Sequence, residues 1–239
     1  TLKNVGANPD NDWVIAKQRT GVNHMPTNLA QVDVESPFDY GEQTHILIIN
    51  DVNKNDVDQV ASAYRELFIA SNGGALGLFT AIQRLRAVHN RILHPLDRSG
   101  LKLYSQHVDG LSVATLIDIF RMEENSSLLG TNAARDGVDI PGKSLRLIVF
   151  DKVPWPRPSI LTKARQKSFG RNVYTDMLTR MNLTQAFGRL IRTASDKGVF
   201  VLLDSGMPSR LLDAFPKDAT ITRCGLADAI EDVKNFLKS

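Results

Sequence analysis

The chain has 239 residues, 42% of them hydrophobic and 23% charged, and its formal net charge is +3. These values are ordinary for a globular protein with a sizeable core, and no apolar run approaches the ~20 residues that a membrane span requires. The single cysteine, Cys224, excludes an internal disulfide and a zinc or iron–sulfur site built from four cysteines of this chain. The sequence therefore predicts a cytoplasmic protein without a membrane partner.

The first 44 residues show few periodic apolar positions. They contain three prolines and carry no signal-peptide pattern. We expect an irregular leader over 1–44 and one domain over 45–239. Because the first residue is Thr1 rather than Met, we expect the chain to be processed or to be cut from a longer protein.

From residue 45 onward, apolar runs rich in β-branched residues alternate with stretches of helical periodicity. The runs predict strands at 45–50, 75–80, 101–105, 126–130, 145–151 and 198–204. The periodic stretches predict helices at 56–71, 81–93, 111–121, 159–181, 183–194 and 227–237. We expect Asp56 to cap the first helix. This order predicts an α/β fold of three layers, with a mostly parallel sheet between helices, and ligands at the carboxyl ends of the strands.

Residues 137–144 match the pattern G-x-x-x-x-G-K-[ST] of a nucleotide-binding P-loop. A true P-loop leads from a strand into a helix, so that the helix N-terminus faces the phosphates. Here Ser144 leads into an apolar strand, and Asp139 would place a carboxylate among the phosphates. We therefore expect no Walker A site, with Lys143 as an exposed turn residue.

Positive charge is concentrated in one part of the chain. Residues 152–192 contain nine Lys or Arg and a single acid, Asp176, which leaves the rest of the chain with a net charge of about −5. The excess favours a surface that binds phosphates, and a solvated helical face explains it equally well. Trp155 stands among three prolines of this part, which favours packing over base stacking.

The strongest functional signal is the segment 185–192, which has the form Q-x-x-G-R-x-x-R. On a helix, residues at i, i+4 and i+7 share a face, so Gln185, Arg189 and Arg192 would line up, with Gly188 allowing close approach. Guanidinium forks suit phosphate oxygens, and a pair directed at a γ-phosphate is arginine-finger chemistry. The alternative is that both arginines pair with acids on a neighbouring helix.

These motifs resemble the C-terminal motor domain of superfamily 2 DNA helicases of the DinG/XPD type. The segment 185–192 is similar to helicase motif VI, 130–142 to motif V and 78–80 to motif IV. The resemblance covers roughly 36–216. It implies a RecA-like domain with the P-loop NTPase superfold but without its own Walker A site, and it implies that 1–44 belongs to the region between two motor domains.

Two positions depart from the pattern of that family. Ala134-Arg135-Asp136 stands where an aromatic residue, Trp and Glu are usual within motif V. Gly206 stands where an Arg is common after the strand at 198–204, and Arg210 is a candidate to replace that Arg.

The resemblance implies that ATP and Mg²⁺ are bound mainly by an N-terminal motor domain of the same protein, which this chain lacks. Arg189 and Arg192 would act on the γ-phosphate, with Gln185 nearby. Three further residues are expected close to the nucleotide: Gly137, Asp139 and Gly188. The intact protein would be an ATP-dependent helicase, and this chain alone would be inactive.

Single-stranded DNA is the second implied partner. Four residues at strand ends are candidates for phosphate contacts, and each suits a turn or cap equally well: Thr80, Gln106, Thr131 and Asn132. The five histidines show no ligand spacing, so no metal site is predicted. Two other functions stay open, a non-catalytic nucleic-acid-binding or regulatory module and a self-sufficient P-loop ATPase or kinase.

Overall fold

The computed structural model describes residues 13–14, 16–17, 20–26, 30, 32, 34, 36–137, 139–140 and 142–238. Much of the predicted leader lies outside these residues. Two residues of the P-loop-like segment, Val138 and Pro141, lie outside them as well.

Within the described residues, seven strands form one sheet. They are β1 (Thr44–Ile49), β2 (Ala75–Leu78), β3 (Lys102–Ser105), β4 (Ser126–Gly130), β5 (Leu147–Phe150), β6 (Gly198–Leu202) and β7 (Thr220–Cys224). Their order is β3-β4-β2-β5-β6-β1-β7, and every neighbouring pair is parallel. All carboxyl ends therefore lie along one edge of the sheet and all amino ends along the other.

Helices precede, connect and follow the strands. They are α1 (Tyr40–Gln43), α2 (Val57–Ala70), α3 (Ile82–Arg98), α4 (Val113–Met122), α5 (Asn132–Gly137), α6 (Ile160–Phe169), α7 (Arg171–Phe187) and α8 (Leu226–Phe236). Short 3₁₀ turns occur at Val22–His24, Gly142–Ser144 and Ser209–Ala214. No helix in the described part of the chain is long and apolar enough to cross a membrane.

The sheet separates two hydrophobic cores, because successive side chains of a strand point to opposite faces. In β1, Ile46 and Ile48 belong to the core that also contains residues of α4 and α7. Leu47 and Ile49 belong to the core with α2, α3 and α8. The three-layer α/β fold predicted from the sequence is confirmed.

Local capping explains where several helices begin. The Asp56 carboxylate accepts hydrogen bonds from the backbone N–H groups of Asp58 and Gln59, as predicted. Ser112 caps α4 and Ser159 caps α6 in the same way. These caps satisfy N–H groups that have no partner inside the helix.

Besides the arginine segment described below, several element predictions differ from the structure. The helix predicted to end near residue 93 continues through Pro95 to Arg98. The stretch 159–181 is two helices, because Gly170 adopts a φ of 87° and breaks the first. The edge strand β7 was not predicted at all, since Thr220–Cys224 offers little apolar signal and none of its residues is buried.

Candidate nucleotide and nucleic-acid site

The arginine pair does not lie on a helix, so the prediction of a helix at 183–194 is wrong. Helix α7 ends at Phe187, and the Gly188 N–H donates to the Thr184 carbonyl at 2.9 Å. Gln185 is therefore helical, whereas Arg189 and Arg192 follow in turns. The common helical face expected for these three side chains does not form.

Buried polar groups hold the segment after the helix. The Asp196 carboxylate accepts from the backbone N–H groups of Arg192 and Thr193, each at 2.8 Å. The Gln43 carboxamide donates to the carbonyl oxygens of Thr193, Ala194 and Asp196 at 3.0–3.2 Å. Because Gln43 directly precedes β1, this segment lies at the amino edge of the sheet, opposite the edge where the sequence predicted ligands.

The segment resembling motif V meets the segment resembling motif VI. The Arg192 Nη2 lies 2.8 Å from the Asp139 Oδ1. The Arg189 Nη2 donates to the Asp136 carbonyl at 3.3 Å. Gly137, at the end of α5, stands between these two contacts along the chain. The structure thus brings Arg192 to Asp139, and it brings Arg189 to the residue before Gly137.

Arg192 keeps unused donor capacity in this arrangement. Its side chain is 32% exposed, and that of its partner Asp139 is 70% exposed. An ion pair of such exposure is worth about 0–1 kcal/mol. The Arg192 Nε is buried and has no hydrogen-bond partner among the described residues. The alternative that both arginines pair with acids on a neighbouring helix holds in part. Among the described residues Arg192 pairs with a carboxylate and Arg189 does not, and the carboxylate of Asp139 lies in a loop.

The described residues of the P-loop-like segment do not form a phosphate cradle. Gly137 ends α5, and Gly142–Ser144 form a 3₁₀ turn that leads into β5 rather than into a helix. Lys143 is exposed in this turn, as predicted. In the described part of the chain, no three His, Cys, Asp or Glu side chains are grouped so as to hold a metal ion.

The candidate nucleic-acid residues lie at the opposite, carboxyl edge. The buried Gln106 Oε1 accepts from the Thr131 N–H at 2.9 Å and from the Thr131 Oγ1 at 3.0 Å. The Thr80 N–H donates to Asp151, and the Thr80 carbonyl accepts from Arg157. Asn132 is exposed at the start of α5. Gln106 and Thr131 are thus partners of each other.

Sequence reasoning missed a charged network at this edge. Asp151 is buried after β5 and accepts from the Arg84 Nε at 2.8 Å. Asp204 is buried two residues after β6 and accepts from the Lys54 Nζ at 2.6 Å and from the Val153 N–H at 3.1 Å. Burial raises the pKa of Asp151, and the hydrogen bond from Arg84 opposes that shift. The sequence feature that could have indicated this network is an aspartate just after each of two buried strands, Asp151 after β5 and Asp204 after β6.

Arg210 and Trp155 also differ from what the sequence predicted for them. Arg210, the candidate replacement for a family arginine, is bound to Asp176 of α7, with the Arg210 Nε 2.7 Å from the Asp176 Oδ2. Trp155 is 40% exposed rather than packed among the prolines. Arg135, within the atypical part of motif V, donates to Asn182 and so ties α5 to α7.

Comparison with known proteins identifies the class to which this fold and these motifs belong. The helicase C-terminal domain family matches residues 64–219. The chain therefore belongs to the helicase C-terminal domain family, and the resemblance predicted from the motifs is confirmed.

Particular relatives carry related names. The chain is 32% identical over 202 residues to the 3'-5' exonuclease DinG of Bacillus subtilis, covering 77% of this chain and 22% of that protein. It is 32% identical to the ATP-dependent helicase DinG of Mycobacterium tuberculosis, covering 74% of this chain and 28% of that protein. It is 26% identical to the ATP-dependent DNA helicase YoaA of Escherichia coli, covering 87% and 35%. The chain thus spans between a fifth and about a third of these relatives.

Solved structures show the same fold. An XPD helicase superposes with a TM-score of 0.58 at 20% identity, covering 76% of this chain and 35% of that one. S. cerevisiae Dbp5 bound to RNA and ADP BeF3 superposes with a TM-score of 0.62 at 14% identity, covering 94% and 52%. The RecA-like fold predicted from the sequence is confirmed.

Proposed function

We propose that the chain is the second motor domain of an ATP-dependent DNA helicase. Arg189 and Arg192 would contact phosphate oxygens of an ATP that a first motor domain of the same protein holds together with Mg²⁺. The observation that carries this proposal is the meeting of the two motif segments through the contact between Arg192 and Asp139. The relatives named ATP-dependent helicases support it.

The residues present fit a polyphosphate. Arg192 has a buried Nε without a partner among the described residues, and its one carboxylate partner is exposed and held in a surface pair. Phosphate oxygens accept charge-assisted hydrogen bonds from guanidinium forks more strongly than neutral acceptors do. An anion that replaces Asp139 would therefore satisfy the Nε and the Nη groups of Arg192 together.

ATP would supply a phosphoanhydride whose cleavage drives the motor. This chain would contribute the positive charge of Arg189 and Arg192, which would be held next to the phosphate oxygens on which negative charge develops. Asp196 and Gln43 fix the backbone that carries Arg192, so little reorganisation is required when the anion arrives. Gln185, on the last turn of α7, and Gly188, which caps it, would border the same nucleotide.

We further propose that single-stranded DNA binds along the carboxyl ends of three neighbouring strands. β3, β4 and β2 are adjacent in the sheet, and parallel neighbours lie about 4.8 Å apart. Gln106 follows β3, Thr131 and Asn132 follow β4, and Thr80 stands two residues after β2. Together they form a row of polar groups suited to a phosphate backbone. Gln106 would use its amide nitrogen, since its oxygen already accepts from Thr131.

Helix α5 directly links the two proposed sites. It begins at Asn132, in the nucleic-acid row, and ends at Gly137, next to the arginine contacts. Its six residues span about 9 Å. A shift of this short rigid helix would move residues at both sites. It would thereby couple ATP hydrolysis to movement along single-stranded DNA.

The proposed nucleotide role is tested by steady-state ATP hydrolysis of the intact protein. We expect Arg189→Ala and Arg192→Ala each to lower kcat by roughly 10³-fold or more, while the Kd for ATP changes little. Lys143→Ala is the matched control, since it removes an exposed cation of the P-loop-like segment, and it should leave kcat unchanged. Near-normal turnover in both arginine variants, with DNA binding retained, would instead support a non-catalytic nucleic-acid-binding module.

A further inference from the structure

The hairpin formed by α6 and the start of α7 carries positive charge without acidic neighbours in the chain. Residues 152–175 contain six Lys or Arg and no Asp or Glu. The side chains of Lys163, Lys167 and Arg171 are exposed and make no hydrogen bond or ion pair with any described residue. By contrast, Arg180 farther along α7 is bound to Asp213. The hairpin therefore presents cations that the described part of the chain does not neutralise.

The same hairpin encloses a groove. A cavity of about 530 Å³ lies between α6, the first turns of α7 and the proline-rich segment before α6. Lys163 and Arg171 line it from the two helices, and Pro156 and Pro158 line it from the segment. Gln166 donates to Thr175 at 2.9 Å across the groove. All residues of α6 are exposed or half-buried, so this helix is available to a partner along its length.

The proline-rich segment that lines the groove is hydrogen-bonded to the proposed nucleic-acid row. The Arg157 Nη2, in the proline-rich segment, donates to the Thr80 carbonyl at 2.6 Å. The Asn182 amide donates to the Pro154 carbonyl and accepts from Arg135 of α5. The segment is thus fixed both to Thr80 and to the helix that starts at Asn132. Trp155, which directly precedes the groove-lining Pro156 in the chain, is 40% exposed.

We propose that the groove between α6 and α7 binds the sugar–phosphate backbone of single-stranded nucleic acid and extends the row that ends at Thr80. This inference rests on the proposed function, which supplies the strand. Unpaired cations along a groove, next to an exposed aromatic side chain, are the combination that binds single strands without sequence preference. Free phosphate would bind the cations but would not extend from the groove to Thr80. An acidic protein surface would pair with the cations but would not stack on the exposed indole of Trp155.

The test is equilibrium binding of the intact protein to fluorescent oligo-dT, measured without nucleotide at several salt concentrations. We expect Lys163→Glu/Arg171→Glu to weaken binding about tenfold or more. The slope of log K against log salt should fall in magnitude by about 1.4, since each lost phosphate contact removes about 0.7. Lys234→Glu/Lys238→Glu makes the same change in charge on exposed residues at the end of the chain and should keep the wild-type affinity and slope.

Wild-type affinity and slope in Lys163→Glu/Arg171→Glu would overturn the inference, as would equal weakening in both double variants. If Lys163→Glu/Arg171→Glu leaves oligo-dT binding unchanged but alters the association of the two motor domains, the cations bind an acidic protein surface. That result would also overturn the inference. Thermal unfolding by circular dichroism checks that both double variants are folded, and Lys163→Ala/Arg171→Ala repeats the test if the reversal unfolds the protein. The assay contains no ATP, so its outcome is independent of the turnover experiment that tests the arginine pair.

Discussion

Arg192 is fixed through its backbone but free to exchange the partner of its side chain. The buried Asp196 carboxylate holds its N–H, whereas the exposed Asp139 carboxylate holds one end of its guanidinium. Loss of a surface ion pair costs about 0–1 kcal/mol, and a new charge-assisted contact to phosphate offsets that cost. Under the proposed function, the Arg192 guanidinium is held by Asp139 through Nη2 before ATP binds, and it would exchange that partner for a phosphate oxygen.

His89 provides a residue-level prediction of pH dependence. It is buried, its Nδ1 lies 2.7 Å from the Ser105 Oγ, and burial lowers its pKa below the ordinary value of 6.5. Because the folded state disfavours the protonated form, the free energy of unfolding should decrease as the pH falls below about 6.5. His89→Asn, which does not titrate, should reduce that decrease in urea unfolding between pH 7 and 5. Parallel curves for the two proteins would contradict the assignment.

The sequence predicts where a residue lies along its strand but not which residue of a neighbouring strand it contacts. Gln106 and Thr131 were both predicted as strand-end residues that contact phosphate, and the structure places them at strand ends. Their hydrogen bond to each other could not be predicted, because it depends on β3 and β4 being neighbours. The sequence contains the order of strands along the chain but not their order in the sheet.

Among the elements, α7 shows why helical periodicity failed after Phe187. Leu183, Phe187 and Leu190 repeat at helical spacing and are all buried, but Leu190 reaches the core from a turn. Hydrogen bonds from Gln43, 150 residues or more away along the chain, compete with helix continuation. By contrast, β4 and α2 were predicted almost to the residue, since local apolar runs and the Asp56 cap decide them.

Helix α5 gives a prediction at the level of elements. A Cβ on Gly130, the last residue of β4, would overlap the Cβ of Ala134 in α5. We expect Gly130→Ala to lower the free energy of unfolding by roughly 1–3 kcal/mol, as overpacking does, measured by urea denaturation. Gly130→Ala/Ala134→Gly relieves the overlap and should recover part of the loss. A double variant no more stable than Gly130→Ala would show that this contact is not the cause.

At the scale of the whole molecule, the proposed nucleotide site and the proposed nucleic-acid site lie at opposite edges of the sheet. The arginine segment lies at the amino edge beside β1, and the polar row lies at the carboxyl edge of β3, β4 and β2. The fold class, the parallel sheet and the family could be predicted, because they depend on alternation and on short motifs. The position of the arginines could not, since it depends on where α7 ends in the connection between β5 and β6 and on the distant Gln43 that holds the following segment.

A molecule-level prediction concerns the chain expressed alone. Because Gly142–Ser144 form a 3₁₀ turn that leads into β5 and not into a helix, we expect the isolated chain to show no Mg²⁺-dependent ATP hydrolysis. A sensitive phosphate-release assay measures this, with Lys143→Ala as the paired variant. Hydrolysis by the isolated chain that disappears in Lys143→Ala would establish a self-sufficient P-loop enzyme instead.

The central claim is that Arg189 and Arg192 act together on one nucleotide, and ATP turnover by Arg189→Ala/Arg192→Ala in the intact protein tests it most directly. Residues that act as a unit are strongly non-additive. We therefore predict that the double variant loses roughly 10³-fold in kcat, within about tenfold of either single variant. Turnover near that of the wild type in the double variant would contradict the account.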